Sequence, residues 1–295
     1  MSVLQSIVDG VALGAVYALV AIGLALVFGV MRLINFAHGE LITAGGYTLA
    51  LTAAFPKIAS VGITILVCIA LALAIERVAF RPLRNASPTT TLVATFAVAF
   101  ALQGVWLIAF GPEGRTADVL ASLNQRVFEG DLDVRWITLT MLAVGAFLLG
   151  GTAFLLGRTT IGLEMRAAAA DFRAARLLGV RADTVIGFAF VLAGLLAAAV
   201  AILLTVQRPL VTPTFGLEVT ILGLVGVVVG GIDRLGTATL GGFAIGFLTS
   251  VLGDALPADE RVFLPSFVFL LVIVVLLLRP AGLFARPGKS AVERV

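Results

Sequence analysis

Long apolar runs separated by short polar breaks make up most of this chain of 295 residues. A helix needs about 20 apolar residues to cross the hydrocarbon core of a bilayer, or fewer if it is broken or re-entrant. Three of the runs are short or interrupted by glycine, namely 38–55, 218–232 and 236–253. In all, the pattern predicts nine membrane segments: 6–31, 38–55, 59–79, 89–111, 136–157, 184–206, 218–232, 236–253 and 262–279.

These segments predict an all-α fold, a polytopic transmembrane helical bundle of about 8–9 spans with broken or re-entrant helices. The runs are continuous, whereas the strands of a membrane β-barrel alternate over about ten residues. No long linker interrupts them, so we expect residues 1–295 to form a single transmembrane domain.

The composition agrees with a membrane protein. Hydrophobic residues make up 60% of the chain and charged residues 13%, against about 45–50% and about 25% in soluble domains. One soluble domain of this length could not bury so much apolar surface, which excludes an ordinary cytosolic enzyme, a secreted disulfide scaffold and a disordered chain. Cys68 is the only cysteine, and no stretch forms a basic domain that would bind nucleic acid.

The basic residues are concentrated on one side of the predicted bundle. Cytoplasmic loops of membrane proteins are enriched in Lys and Arg. Threading the nine segments with 158–183 inside places 14 of the 20 basic residues on the cytoplasmic side, the N-terminus outside and the C-terminus inside. Five of them lie in the single stretch 158–183: Arg158, Arg166, Arg173, Arg176 and Arg181. The loops 112–135 and 208–216 then face outward, where a binding protein could dock.

The stretch 158–183 is too polar to span the membrane and has strong helix signals. Residues 162–170 favour a helix, and Asp171 as N-cap with Gly179 beyond the end brackets a second short helix over 172–178. On that short helix Ala174, Leu177 and Leu178 share one face, while Arg173 and Arg176 share another. Two interpretations fit equally: docking of the small apolar face into a groove of another protein, or adsorption of a basic helix to anionic headgroups.

The polar break after the first segment carries the other candidate site. Arg32, Asn35, His38 and Glu40 lie between two apolar runs, and His38 is the only histidine. A broken helix here could line a translocation path. The structural alternative is that these side chains cap two helices at the cytoplasmic interface, with Asn35 as an N-cap.

Gln103, within the fourth segment, is a candidate for hydrogen bonding between helices. One histidine and one glutamate are too few ligands for a metal site.

Three motifs carry a resemblance to a known family. They are the stretch from Gly162 to Gly179, the segment Asn35-Phe-Ala-His-Gly-Glu-Leu41 with its following Gly45-Gly-Tyr47, and the closing Leu278-Arg-Pro-Ala-Gly-Leu-Phe284. Together they resemble the branched-chain amino acid ABC transporter permease family, over essentially the whole chain. One departure is that Glu164 is followed by Met and Arg, where the general importer motif has Glu-Ala-Ala.

The resemblance implies a permease subunit of an ATP-driven importer for branched-chain, hydrophobic amino acids in the bacterial cell inner membrane. It implies four kinds of partner: ATP-binding cassette subunits, a second permease subunit in a hetero- or homodimer, a solute-binding protein and membrane lipid. Nucleic acid is not among them. It also implies an ATPase-coupling loop formed by Gly162, Glu164, Arg166, Ala167, Asp171, Ala175, Arg176, Leu178 and Gly179, whereas the candidate translocation path consists of Asn35, His38, Glu40 and Gln103.

The chain has no G-x-x-x-x-G-K-[ST] phosphate loop, so ATP must be hydrolysed by another subunit if transport is ATP-driven. We therefore expect a non-enzymatic chain that binds no cofactor and no metal of its own. Two alternatives remain open at this point. One is a permease for urea or short amides; the other is a self-sufficient secondary transporter or channel that uses His38 and Glu40.

Overall fold

The computed structural model describes residues 3–84, 86–127, 134–232, 234–257, 259–279 and 282–284. Within these ranges the chain forms α-helices, most of them joined by short connections, with the longest connection between α4 and α5. A π-helical turn, Glu76–Phe80, extends the third helix, and two 3₁₀ turns lie at Ala121–Asn124 and Arg261–Phe263. The α-helices are α1 Val3–Met31, α2 His38–Leu51, α3 Lys57–Ile75, α4 Pro88–Phe110, α5 Trp136–Arg158, α6 Thr160–Ala170, α7 Phe172–Leu177, α8 Ala182–Gln207, α9 Phe215–Gly230, α10 Leu235–Ala255 and α11 Leu264–Leu278.

Each of the nine predicted membrane segments is a helix, which confirms the all-α polytopic fold. Among the described residues, seven helices are long and apolar enough to cross a membrane. The other two are α2, with 14 residues, and α9, with 16. At 1.5 Å per residue they reach only about 21 and 24 Å, short of the roughly 30 Å hydrocarbon core. The prediction that α10 is short was wrong, because Leu235–Ala255 is a continuous helix of 21 residues.

Helix α1 forms the centre of the bundle, and glycines let two neighbours approach it closely. A Cβ atom on Gly242 of α10 would lie 2.7 Å from the Tyr17 carbonyl oxygen, and one on Gly14 would lie 2.9 Å from that of Phe243. Helix α9 meets α10 in the same way, since a Cβ on Gly226 would lie 2.6 Å from the Cα of Gly242. Small residues are what allow membrane helices to pack at such distances.

The periphery of the bundle is apolar and exposed. Helices α4 and α11 are mostly unburied and carry large exposed side chains such as Phe100, Ile108 and Leu277. These surfaces explain the high apolar content of the chain, since lipid or a second membrane subunit can cover them and water need not.

A short antiparallel ladder joins the two loops that the threading places outside. Strand β1, Arg115–Thr116, pairs with β2, Leu210–Val211, with Arg115 opposite Val211. Gly114 has a φ of +72°, and a Cβ there would lie 2.1 Å from the Val211 carbonyl oxygen, so only glycine fits. Residues 128–133 of the predicted docking loop 112–135 lie outside the described residues, as does the chain after 284.

Candidate coupling surface and translocation path

The stretch 158–183 forms two helices, α6 and α7, as its sequence predicts. Asp171 caps α7: its carboxylate accepts hydrogen bonds from the backbone N–H groups of Arg173 and Ala174 at 2.9 and 3.0 Å. Gly179 follows the helix with a φ of +92°, a backbone conformation that favours glycine. The cap and the glycine therefore set both ends of this short helix.

Helix α6 is held firmly against the membrane helices. Thr159 caps its first turn by accepting a hydrogen bond from Gly162 N at 3.2 Å. A Cβ on Gly162 would lie 2.3 Å from the Leu155 carbonyl oxygen, so a glycine is required where α6 turns back along α5. The Arg166 guanidinium donates to the Leu156 carbonyl oxygen. These contacts make α6 a rigid continuation of the bundle.

Helix α7 presents apolar side chains to the surroundings. Leu177 is 89% exposed and Leu178 is 85% exposed, although both are large hydrophobic residues. Arg173 and Arg176 are exposed as well. Ala175 is instead buried, so its position does not support the predicted contact between this residue and an ATPase. Leu177 was missing from the predicted coupling set, although the helical spacing had already placed it on the apolar face with Leu178.

The C-terminal end of the stretch 158–183 forms ion pairs with the turn before α4. Asp183, in the first turn of α8, accepts hydrogen bonds from Arg81, at 2.8 Å, and from Arg84. Arg84 also pairs with Glu76, which is 6% exposed. Partial burial alone would lower the pKa of Arg84, because it disfavours the charged form. The hydrogen bonds to Asp183 and Glu76, together with the charges of both carboxylates, outweigh burial and raise the pKa of Arg84 above its usual value.

A hydrogen bond from Arg32 links α6 to the break between α1 and α2. Arg32 follows the end of α1 with a φ of +55°, and its guanidinium donates to the Ala169 carbonyl oxygen at 2.6 Å. Ala169 lies in the last turn of α6, two residues before the Asp171 cap of α7. A movement of α7 and α6 would therefore act directly on the residue at which the broken segment begins.

The broken segment, residues 32–37, leads into the bundle interior. Asn35 is 2% exposed and His38 is fully buried, and a Cβ on Gly23 of α1 would lie 2.9 Å from the His38 ring. The N-cap of α2 is Ala37, with no side-chain hydrogen bond. The interpretation of Asn35 as an N-cap at the cytoplasmic interface was therefore wrong. Within the described part of the chain, the Asn35 amide oxygen and both His38 ring nitrogens are buried without a hydrogen-bond partner.

Glu40 and Gln103 are brought together. The Glu40 carboxylate, which is fully buried, accepts hydrogen bonds from Gln103 Nε2 at 3.0 Å and from Trp106 Nε1 at 2.9 Å. Both donors lie on α4, whereas Glu40 lies in the first turn of α2. This confirms Gln103 as an inter-helix hydrogen-bonding residue. Trp106, the second donor to Glu40 on α4, was not predicted.

The two short helices meet inside the bundle. The Thr43 hydroxyl of α2 accepts a hydrogen bond from Gly216 N of α9 at 2.9 Å. A Cβ on Gly216 would lie 1.9 Å from the Gly39 carbonyl oxygen, and one on Gly39 would lie 2.9 Å from that of Gly216. Helix ends and exposed backbone inside a membrane protein are tolerated where protein surrounds them or where they line a cavity. Transporters often form their substrate path where such short helices meet inside the bundle.

A family of known transport proteins matches this sequence. The sequence profile described as "Branched-chain amino acid transport system / permease component" matches residues 6–278. The chain belongs to this family.

Individual relatives of the permease cover almost its whole length. It is 30% identical to the high-affinity branched-chain amino acid transport system permease protein BraD of Pseudomonas aeruginosa, over 96% of each chain. It is 31% identical to LivH, the corresponding protein of Salmonella typhimurium, again over 96% of each chain. The autoinducer 2 import system permease protein LsrC of Klebsiella pneumoniae is 33% identical over 62% of the permease and 54% of LsrC. No solved structure matches it.

Family membership confirms the resemblance that the three motifs indicate. The permease is a transport component with several membrane-spanning helices, and the main prediction is supported over a urea permease or a self-sufficient secondary transporter. The positions of the third motif that the structure describes close against α9: Gly282 has a φ of +97°, and Leu283 N donates to the Val229 carbonyl oxygen at 2.6 Å. This contact gives the third motif a structural role.

Proposed function

We propose that this permease is the transmembrane subunit of an ATP-driven importer of branched-chain amino acids, and that α7 is the contact for its ATP-hydrolysing subunits. The observation that carries the proposal is the exposure of Leu177 and Leu178 at the C-terminal end of a short capped helix outside the bundle. Two adjacent leucines exposed on one turn suit a groove of a partner protein. The relatives that cover the whole chain belong to branched-chain amino acid transport systems, which supports the substrate class.

The contacts of the stretch provide a route from the docking helix to the path. A partner that moves α7 also moves α6, since only the capping residue Asp171 separates them. Arg32 then transmits the displacement to the segment that leads to Asn35 and His38. Because their buried polar atoms lack partners in this conformation, opening the segment would allow them to meet water or a passing zwitterion, which offsets the cost of burial.

The coupling surface in this proposal differs slightly from the predicted set. Arg166, Asp171 and Gly179 shape it, and Leu177 joins it, whereas Ala175 faces inward. Glu40 and Gln103 hold α4 to α2, which leaves Asn35 of the broken segment and His38 at the start of α2 as the path residues. The remaining predicted members, Gly162, Glu164, Ala167, Arg176 and Leu178, lie on α6 and on or next to α7.

The proposal also covers the setting of the permease. It lies in the bacterial inner membrane beside a second permease subunit and lipid, receives amino acid from a solute-binding protein, and leaves ATP hydrolysis to its partners. It neither catalyses a reaction nor holds a cofactor. The β1–β2 ladder joins the two loops that the sequence predicts to face outward, and we place the solute-binding protein there.

Charged substitutions on α7 test the docking surface. We expect Leu177→Asp with Leu178→Asp to abolish copurification of the ATP-binding cassette subunits and ATP-dependent leucine uptake, because two charges would be buried at the interface. Val262→Asp is the matched control, since Val262 is 81% exposed at the opposite side of the bundle. If the double variant still copurifies its ATPase like the wild type, α7 is not the docking helix.

A further inference from the structure

The half of the bundle on the β1–β2 side contains a cavity of about 90 Å³ between α1, α8, α9 and α10. Its lining reaches Tyr17, the middle residue of Val3–Met31, so the cavity extends toward the centre of a spanning helix. The lining combines one positive charge, one negative charge and an apolar wall: Arg208, Glu218, Leu13, Leu204 and Val219.

The two charged residues lie at the exposed edge of the cavity. Arg208 directly follows the end of α8, and Glu218 lies in the first turn of α9. Both are exposed, and in the described part of the chain neither forms an ion pair with the other or with a third residue. Charged side chains that face hydrocarbon are costly, so this face of the permease meets water or a protein surface and not lipid.

We propose that this cavity is a binding site for the transported amino acid. The Arg208 guanidinium pairs with the α-carboxylate, the Glu218 carboxylate pairs with the α-ammonium group, and Leu13, Leu204 and Val219 contact the aliphatic side chain. The inference rests on the proposed function and names the residues that recognise its substrate. None of them belongs to the path that the sequence predicts.

The size and polarity of the cavity fit this substrate class. A volume of about 90 Å³ accepts a short aliphatic group but no peptide, given that cavities near 150 Å³ hold a benzene ring. The charged head of the amino acid remains at the open edge, where solvent screens Arg208 and Glu218. This screening of the two charges keeps the affinity for the amino acid low. Transport requires a low affinity, because the bound solute must also be released.

Leucine binding by the complete transporter in detergent, without the solute-binding protein, tests the site. We expect Arg208→Gln and Glu218→Gln each to weaken leucine binding about tenfold or more, since each removes one charged hydrogen bond. Arg261→Gln and Glu113→Gln are the matched controls, because both residues are exposed at the same end of the molecule and neither lines the cavity. Their leucine affinity should equal that of the wild type.

Analogues of leucine test the same site on the unaltered protein, so the result does not depend on a variant that folds. If the site binds both the carboxylate and the ammonium group, valine should displace leucine. At tenfold excess, 4-methylpentanoate, which lacks the ammonium group, and 3-methylbutylamine, which lacks the carboxylate, should not displace it. Displacement by either analogue as effective as by valine overturns the assignment, and so does the absence of leucine binding to the wild type.

The two proposals fail in different ways. If the wild-type complex in proteoliposomes does not import leucine with ATP, the proposed function is wrong. If it imports leucine while Arg208→Gln and Glu218→Gln bind it as tightly as the wild type, only the cavity assignment is wrong.

Discussion

At the scale of single residues, the Glu40 carboxylate joins two helices that also meet through aromatic rings, since Tyr47 of α2 packs against Trp106 and Phe110 of α4. Helix α4 is mostly exposed, and in the described part of the chain the side-chain hydrogen bonds between α4 and α2 are those that Gln103 and Trp106 donate to Glu40. We expect Glu40→Ala to destabilise α4, because each donor left unsatisfied costs about 1–3 kcal/mol. Hydrogen exchange of residues 88–110 should rise in this variant.

The control for this prediction is Glu113→Ala, which removes an exposed carboxylate beyond the end of α4. Its exchange pattern should match the wild type. Glu40→Gln should lie between the two, since the amide retains one acceptor oxygen. Unchanged exchange of α4 in Glu40→Ala would show that the hydrogen bonds do not hold the helix.

Gly216 is required by the close approach of two backbones. A Cβ there would overlap the Gly39 carbonyl oxygen at 1.9 Å, and a backbone oxygen cannot move aside as a side chain can. We expect Gly216→Ala to lower stability by about 1–3 kcal/mol. Gly150→Ala, in α5 with no atom within 4 Å of the added Cβ, should be neutral or stabilise by roughly 0.5–1 kcal/mol. Melting temperatures of the two purified variants check the contrast, and equal values would contradict the crossing.

Local rules predicted residues well where the decisive contacts are local. Asp171 and Gly179 act within their own turn, so the sequence alone could place both. Asn35 also fits the sequence pattern of an N-cap. It is buried between α1 and α9 instead, because the packing of the helices places the break inside the bundle. The Arg208–Glu218 cavity joins residues of four helices, and no spacing along the chain reveals it.

At the scale of elements, Arg32 connects the coupling stretch to the α1–α2 break. We expect Arg32→Asn to retain the ATP-binding cassette subunits and their ATPase rate but to lower leucine uptake per ATP about fivefold or more, the scale of an ordinary coupling energy. Asparagine tolerates the positive φ of this position, so the variant removes the guanidinium without straining the backbone.

Arg234→Asn serves as the control for Arg32→Asn. Arg234 is an exposed arginine at the start of α10, and its backbone supplies its contacts to Thr237 and Ala238. Uptake per ATP should be unchanged in that variant. A normal ratio in Arg32→Asn would mean that coupling takes another route.

Hydropathy located every membrane helix, but it misjudged α10. Its glycines were interpreted as interruptions, whereas Gly241, Gly242 and Gly246 lie where α10 packs on α1 and α9. A glycine within an apolar run can mark a break or a close helix contact, and only the neighbouring helix distinguishes the two. The short lengths of α2 and α9 were predicted because polar residues or a proline-containing loop bound their runs.

At the scale of the whole molecule, the permease has a buried centre and an apolar periphery. Helix α1 and its glycine contacts form the centre, whereas α4 and α11 leave large apolar side chains exposed for lipid or a second subunit. The sequence could not distinguish these roles, since all three helices are similarly apolar. The exposed leucines at the end of α7 and the cavity lie at opposite ends of the molecule, so the proposed ATPase contact and the proposed amino acid site are well separated.

Leucine uptake by proteoliposomes that contain the permease tests the central claim most directly. The account predicts uptake against a gradient only when the ATP-binding cassette subunits, the second permease subunit, the solute-binding protein and ATP are all present. The permease reconstituted alone should show none, with or without a proton gradient. Gradient-driven leucine uptake by the permease alone, or ATP-independent uptake by the complete system, would contradict the account.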